Sequence, residues 1–410
     1  MRLRSIWAFS QKIRDVFAQS AGELMHLTRD EELLLQGERG DTLRRAMEIL
    51  VALGDIYGAE RLIEIKSAQI AGVSYKTIGD AGLEWISDLE GRVAVPSILN
   101  PAGMDLLKWR EMSIDEDFAR KQLEIIDAYR KLGVTIECTC TPYLLYESIA
   151  SRGDHLAWSE SSAVSYANSV IGAMTNREGG PSALAAALVG KTPLYGYHLE
   201  ENRVPTHVIT VEADVKEYGA LGFLAGKIVG DGVPLFLMRS RPDRDDLKAL
   251  GAAMAASGSV ALYYVKDVTP EPPRYDQGSC EFIVIDEDDI RSVYDTHADV
   301  DIVALGCPHC SLQELERIAD LLEGRMVSRE LWICTSRRIA ESAPETVRRI
   351  ESTGARVICD TCMVVSPASE RFSHMMVNSG KALAYIPGMC GIKASFGSLE
   401  DCINAATGGS

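Results

Sequence analysis

The chain has 410 residues, of which 46% are hydrophobic and 25% charged, with a formal net charge of −17. That length exceeds one ordinary hydrophobic core and points to two or three domains. The acidic balance argues against nucleic acid or an anionic membrane as the main partner, and any anionic substrate needs a local positive site.

No window approaches ~18 consecutive apolar residues, so no transmembrane helix is expected. Residues 1–25 place Arg2, Arg4, Lys12 and Arg14 among apolar positions, without the compact apolar run of a signal peptide. They read as an N-terminal extension of a cytoplasmic protein. A helical pattern covers 25–50, with Thr28 followed by Glu31 as an N-terminal cap and Asp41 capping a second helix through Val51. Helical periodicity is also expected over 61–70, 113–132 and 181–188.

Short Val- and Ile-rich runs at 92–95, 134–138, 208–211, 260–265, 302–305, 330–334 and 355–358 read as strands. Strands alternating with helices imply an α/β fold built on parallel or mixed sheets flanked by helices. Pro270, Pro272 and Pro273 mark the clearest boundary. It divides an α/β region over 26–275 from an open-sheet domain over 276–410, with helices expected at about 311–323 and 341–352.

Three cysteine groups each follow an expected strand: Cys138-Thr-Cys140, Cys307-Pro-His-Cys310 and Cys359-Asp-Thr-Cys362. Ligands of open α/β sheets gather beyond the carboxyl ends of strands, so this coincidence says more than any single pair. Cys280, Cys334, Cys390 and Cys402 read as small buried hydrophobes. The two C-x-x-C pairs also fit a four-thiolate zinc site, which would make the chain a zinc-stabilised binding protein instead of an enzyme. One thiolate from each group would instead hold three irons of a cubane and leave the fourth open as a Lewis acid. His309, inside the second group, is placed to contact a cluster sulfur or a substrate oxygen.

Polar and glycine-bearing turns form a second set. Gly72-Val73-Ser74, Asn100-Pro101, Asn168-Ser169 and Gly179-Gly180-Pro181 can present amides and backbone N–H groups to anionic oxygens. Asn168-Ser169 reads as a helix start. Arg177, Arg337, Arg338, Lys381 and Lys393 are the cations nearest these features. Lys381 closes a polar turn before a strand-like run at 382–386, but the Gly-x-x-x-x-Gly spacing of a nucleotide-binding loop is missing.

Together these segments resemble aconitase X. The resemblance runs from about His26 to Ala406 and rests on Leu27-Thr-Arg-Asp-Glu-Glu, Gly72-Val-Ser, Asn100-Pro-Ala-Gly, Cys138-Thr-Cys-Thr-Pro-Tyr143, Thr175-Asn-Arg-Glu-Gly-Gly-Pro-Ser182, Gly306-Cys-Pro-His309 and Asp360-Thr-Cys-Met-Val-Val365. It implies an aconitase-like multidomain large subunit completed by a separate small subunit that carries a swivelling domain. It implies a [4Fe-4S] cluster on Cys140, Cys307 and Cys362, and substrate contacts at Gly72, Val73, Ser74, Asn100, Pro101, Asn168, Ser169 and Lys381. The implied reaction is loss of water from (R)-5-phosphomevalonate, a small phosphorylated hydroxy acid. Dehydration of cis-3-hydroxy-L-proline is the alternative within the same family. The resemblance places the catalytic base on the small subunit.

Overall fold

The computed structural model describes residues 25–296 and 299–408. The expected extension lies outside them except for Met25, which is buried against Gly54 of the helix Asp41–Tyr57. The helix Arg29–Leu35 opens with the expected capping box, Thr28 and Glu31 bonding reciprocally.

Three parallel sheets carry the architecture. The N-terminal sheet runs, in spatial order, Thr135–Cys138, Ser97–Leu99, Ala68–Ile70 and Ala157–Trp158. The middle sheet runs Glu281–Ile285, His207–Val211, Pro234–Met238 and Tyr264–Val265. The C-terminal sheet runs Arg356–Cys359, Glu330–Thr335, Ile302–Cys310, His374–Val377 and Lys393–Phe396. Its central strand is buried along its whole length, as a strand covered by helices on both faces must be. One short antiparallel pair, Leu62–Glu64 with Lys191–Pro193, completes the strands among the described residues. The expected α/β class with flanking helices is what forms.

Several local expectations differ. The stretch 61–70 is not a helix: it forms the strands Leu62–Glu64 and Ala68–Ile70, with Ile63, Ile65 and Ser67 buried and Glu64 and Lys66 exposed. That alternation has period two, which a helix cannot bury on one side. The run 92–95 is not a strand. Val93 and Ala94 donate to Leu132 and Ala187, and the strand begins only after Pro96. The run 382–386 lies inside the helix Gly380–Cys390, capped by Ser379, with Ala382, Ile386 and Cys390 buried at a four-residue spacing. The helix expected at 341–352 is two helices, Arg337–Ser342 and Pro344–Glu351, because Pro344 starts a new one. The proline cluster carries the chain from Tyr264–Val265 to Glu281–Ile285, which are opposite edges of the same middle sheet.

Candidate functional site

The carboxyl ends of the N-terminal and C-terminal sheets face each other. Ala102 N–H donates to the Asp360 carbonyl at 2.7 Å, and Ser74 Oγ donates to the Val365 carbonyl at 3.1 Å. Between these ends lie the turns that follow each strand: 71–74, 100–103, 139–141 and 159–161 from one side, and 306–309, 360–365 and 378–381 from the other. This is the crevice in which open sheets bind ligands.

Cys140, Cys307 and Cys362 are all buried there. Gly306 delivers Cys307 with φ +87, and a Cβ at that position would fall 2.1 Å from the Cys334 carbonyl oxygen, so only glycine fits. The Cys362 loop is clamped from behind. Arg337 bonds both Asp105, at 2.6 Å, and Asp360, at 2.5 Å, while Asp105 accepts from Cys359 N–H at 3.0 Å.

His309 binds the three loops together. Its backbone N–H donates to Cys140 Sγ at 3.1 Å. Its Nδ1 lies 3.1 Å from Thr139 Oγ1 and its Nε2 2.9 Å from the Thr361 carbonyl. A carbonyl can only accept, so Nε2 carries the proton and Nδ1 accepts from Thr139. Burial lowers His309 to about 4, so the ring stays neutral in this tautomer. Both nitrogens are therefore spent on neighbouring loops, and neither is free for a sulfur or a substrate oxygen as the sequence had suggested.

Lys381 supplies the charge. It is buried and ion-paired with Glu160, and its ammonium lies 3.3 Å from Ser162 Oγ. Burial opposes both charges. The pairing outweighs it, raising Lys381 and holding Glu160 below the ordinary carboxylate value. Burial likewise pushes the three thiols up, Cys307 to about 12, and the Lys381 ammonium pulls each back. No other thiol among the ten counts Lys381 among its main charged neighbours.

This donor set fits an iron–sulfur cluster. Three soft ligands are buried, none is in a disulfide, and N–H groups or a hydroxyl approach each sulfur: His309 at Cys140, Ser379 at Cys307, Val364 and Val365 at Cys362. Among the described residues six buried side-chain polar atoms lack a protein partner, and three of them, on Gln69, Asn100 and Thr361, belong to these strands and turns. Orphaned acceptors and donors concentrated in one crevice mark a place built for a ligand. The zinc arrangement does not assemble. Cys310 sits against Lys248 and Glu314, and Cys359 against Arg337 and Asp105. Among the described residues no three His, Cys, Asp or Glu side chains gather around one ion position. A cubane spreads its sulfurs more widely than a single ion does.

Profiles of three domains of aconitase X cover nearly the whole chain: the first domain matches residues 24–201, the second 205–295 and the third 300–408. The chain belongs to the aconitase X family. Among solved structures, aconitase X of Thermococcus kodakaraensis in its holo form superposes with a TM-score of 0.85 at 46% identity, covering 93% of this chain and 100% of that one. The phosphomevalonate dehydratase large subunit of Methanosarcina mazei is 63% identical over 94% of this chain and 98% of its own length. The corresponding subunit of Methanothermobacter thermautotrophicus is 53% identical over 91% and 96%. A cis-3-hydroxy-L-proline dehydratase of Pseudomonas aeruginosa is 35% identical over 92% of this chain but only 69% of its own length.

In this aconitase X chain the expected contacts divide. Gly72, Val73, Ser74, Asn100, Pro101 and Lys381 line the crevice between the sheets. Asn100 Oδ1 is buried there without a partner. Asn168 and Ser169 do not present themselves in the same way. Asn168 donates to Thr175 and Ala261 and accepts from Thr175 and Arg203, while Ser169 Oγ accepts from Tyr263 N–H at 2.9 Å. They close the end of the helix Ser161–Tyr166 through a π-turn and do not start a helix. The polar residues that reach the site from this segment are Glu160, Ser161 and Ser162. Sequence reading missed all three, although they lie within four residues of the strand Ala157–Trp158.

Proposed function

We propose that this chain is the large subunit of a phosphomevalonate dehydratase, a cytoplasmic hydro-lyase of a modified mevalonate route to isoprenoids. Its substrate is (R)-5-phosphomevalonate and its product trans-anhydromevalonate 5-phosphate. The observation that carries this reading is the convergence of Cys140, Cys307 and Cys362 on the buried Lys381, between the carboxyl ends of two facing sheets. The relatives above 50% identity that bear this activity in their names add support.

In this reading the three cysteines hold a [4Fe-4S] cluster with one iron not bound by protein. When bound, the cluster supplies a Lewis acid for a substrate hydroxyl. The protein positions the rest. Lys381 binds the substrate carboxylate, displacing Glu160 from the ammonium. The backbone N–H groups of 72–74 and the side-chain amide of Asn100 orient the remaining polar groups. Glu160, freed from its partner and close to Ser161 and Ser162, holds a proton more readily. The C2 proton next to the carboxylate falls to a base on a separate small subunit. The relatives named as large subunits support such a partner.

The test is anaerobic co-purification with the small subunit, cluster loading, and assay of 5-phosphomevalonate with product detection by mass. Turnover of cis-3-hydroxy-L-proline without turnover of 5-phosphomevalonate would sink the proposal and favour the other activity of the family. A cluster-loaded complex inert to both would sink both.

A further inference from the structure

Beyond the buried Lys381, a second cation stands at the mouth of the crevice. Arg177 forms an isolated bridge with Trp158, and Glu178 N–H donates to the Trp158 carbonyl at 2.9 Å. The Arg177 backbone is thereby strapped beside the turn that carries Glu160 and Ser161. Its side chain is exposed, and Nη2 donates to the Tyr385 hydroxyl at 3.0 Å. Some surface arginines are neutralised by carboxylates, Arg120 by Asp117 and Glu124 and Arg349 by Asp320, while others, such as Arg110 over the Trp109 ring and Arg338 over the Tyr146 ring, are not. Among the described residues Arg177 makes no ion pair.

Tyr385 stands four residues after Lys381 on the helix Gly380–Cys390, so the two share a face, about 6 Å apart along the axis. The Tyr385 hydroxyl donates onward to Ser161 Oγ at 3.4 Å, and Lys381 Nζ lies 6.0 Å from the Tyr385 ring centroid. The crevice therefore has two cations at different depths. Lys381 is buried and neutralised by Glu160. Arg177 is exposed and not neutralised.

Backbone donors adjoin Arg177. The helix Gly180–Val189 begins at Gly179 without a side-chain cap, whereas the single turn 75–78, cut off by the kink at Gly79, has its first N–H bonded to Gln122 Oε1 at 3.1 Å. Gly180 packs against the 71–72 turn so closely that a Cβ would fall 2.5 Å from the Ala71 carbonyl oxygen. The uncapped start of Gly180–Val189, a positive dipole end, thus lies next to Arg177 and against the 71–72 turn.

We infer that Arg177, held by Tyr385 beside the start of the helix Gly180–Val189, forms the subsite for the phosphate of the substrate, while Lys381 takes the carboxylate one helical turn deeper. The inference rests on the dehydratase reading given above. A planar guanidinium can bind phosphate through paired hydrogen bonds, with Tyr385 holding its orientation. Hydroxyproline has no phosphate, and its ring ammonium would be repelled there.

Arg177→Gln and Arg177→Lys are to be prepared in the cluster-loaded complex with the small subunit, and kcat/KM measured for (R)-5-phosphomevalonate and for unphosphorylated (R)-mevalonate. Loss of a charge-assisted contact predicts that the preference for the phosphorylated substrate falls on the order of 10- to 100-fold in Arg177→Gln, chiefly through KM, with partial recovery in Arg177→Lys. Calorimetric titration of inorganic phosphate into the same complexes is expected to show weaker binding in step. Equal losses on both substrates, an unchanged preference, or weaker association with the small subunit as the sole effect would each overturn the subsite. Failure of the wild-type complex on 5-phosphomevalonate would fall on the functional reading instead. The phosphate titration then decides Arg177 by itself, and binding that does not depend on Arg177 refutes it.

Discussion

Replacing Lys381 with methionine keeps the length of the side chain and removes its charge, leaving Glu160 buried beside no cation. The carboxylate can escape by taking up a proton. The cost of doing so at pH 7 is about 1.4 kcal/mol for each of the ~2.5 pH units above its ordinary value of 4.5, hence about 3.4 kcal/mol. This cost has a sign in pH. A carboxyl whose folded value is raised keeps its contribution below the unfolded value and loses stability as pH rises through the folded one. Lys381→Met should therefore be nearly as stable as the wild type near pH 4.5 and about 3 kcal/mol less stable at pH 7. Adding Glu160→Gln in the same chain removes the charge that has to be neutralised and should restore most of the loss, with no return of activity. Urea unfolding of the cluster-free proteins between pH 5 and 7.5 measures both. A destabilisation independent of pH, or a double variant no more stable than the single one, would show that Glu160 and Lys381 do not depend on each other in the folded chain.

Serine in place of Cys140, Cys307 or Cys362 should abolish the visible absorbance and bound iron of the anaerobically loaded protein, whereas Cys310→Ser and Cys359→Ser should keep both. Iron retention by the first three would refute the ligand assignment. His309→Ala leaves the Thr361 carbonyl without its buried donor and Thr139 without its acceptor, which predicts a loss of about 2–4 kcal/mol and faster release of iron. His309→Gln, able to donate to Thr361, should recover part of the stability, and denaturant midpoints with iron release rates would check it. Glu217 is raised to about 7 by burial, against an opposing N–H bond from Leu399, with Glu400 and Asp246 raising it further and Arg317 lowering it. The folded state therefore holds this proton more tightly, so Glu217→Gln should flatten the fall in stability between about pH 4.5 and 7, by up to about 3 kcal/mol. Identical unfolding midpoints for variant and wild type at pH 5 and 8 would refute this.

The cysteine turns were legible because each follows an apolar run long enough to show itself: 134–138, 302–305 and 355–358 all lie within or next to observed strands. Glu160 was not, since its strand is two residues long and displays no periodicity. Asn168 misled for the opposite reason. A polar Asn-Ser pair looks available on paper, but the Asn168 amide is taken up by nearby Thr175 and by Arg203 and Ala261, which approach from 35 and 93 residues away. The run 382–386 is short and apolar, so strand and helix could be told apart only by the Ser379 cap and the spacing of its buried positions. The middle sheet hid its continuity because the proline-rich segment resembles a linker while joining two edges of one layer.

His309 N–H reaches Cys140 across 169 residues, Lys381 reaches Glu160 across 221, and Ser74 reaches Val365 across 291. None of these contacts can form while the chain is still short. During synthesis the first of the three thiols waits, reduced and without its companions, until more than half of the remaining sequence has emerged and folded. On the dehydratase reading, a cluster can therefore be completed only on a chain that has already folded through its C-terminal sheet.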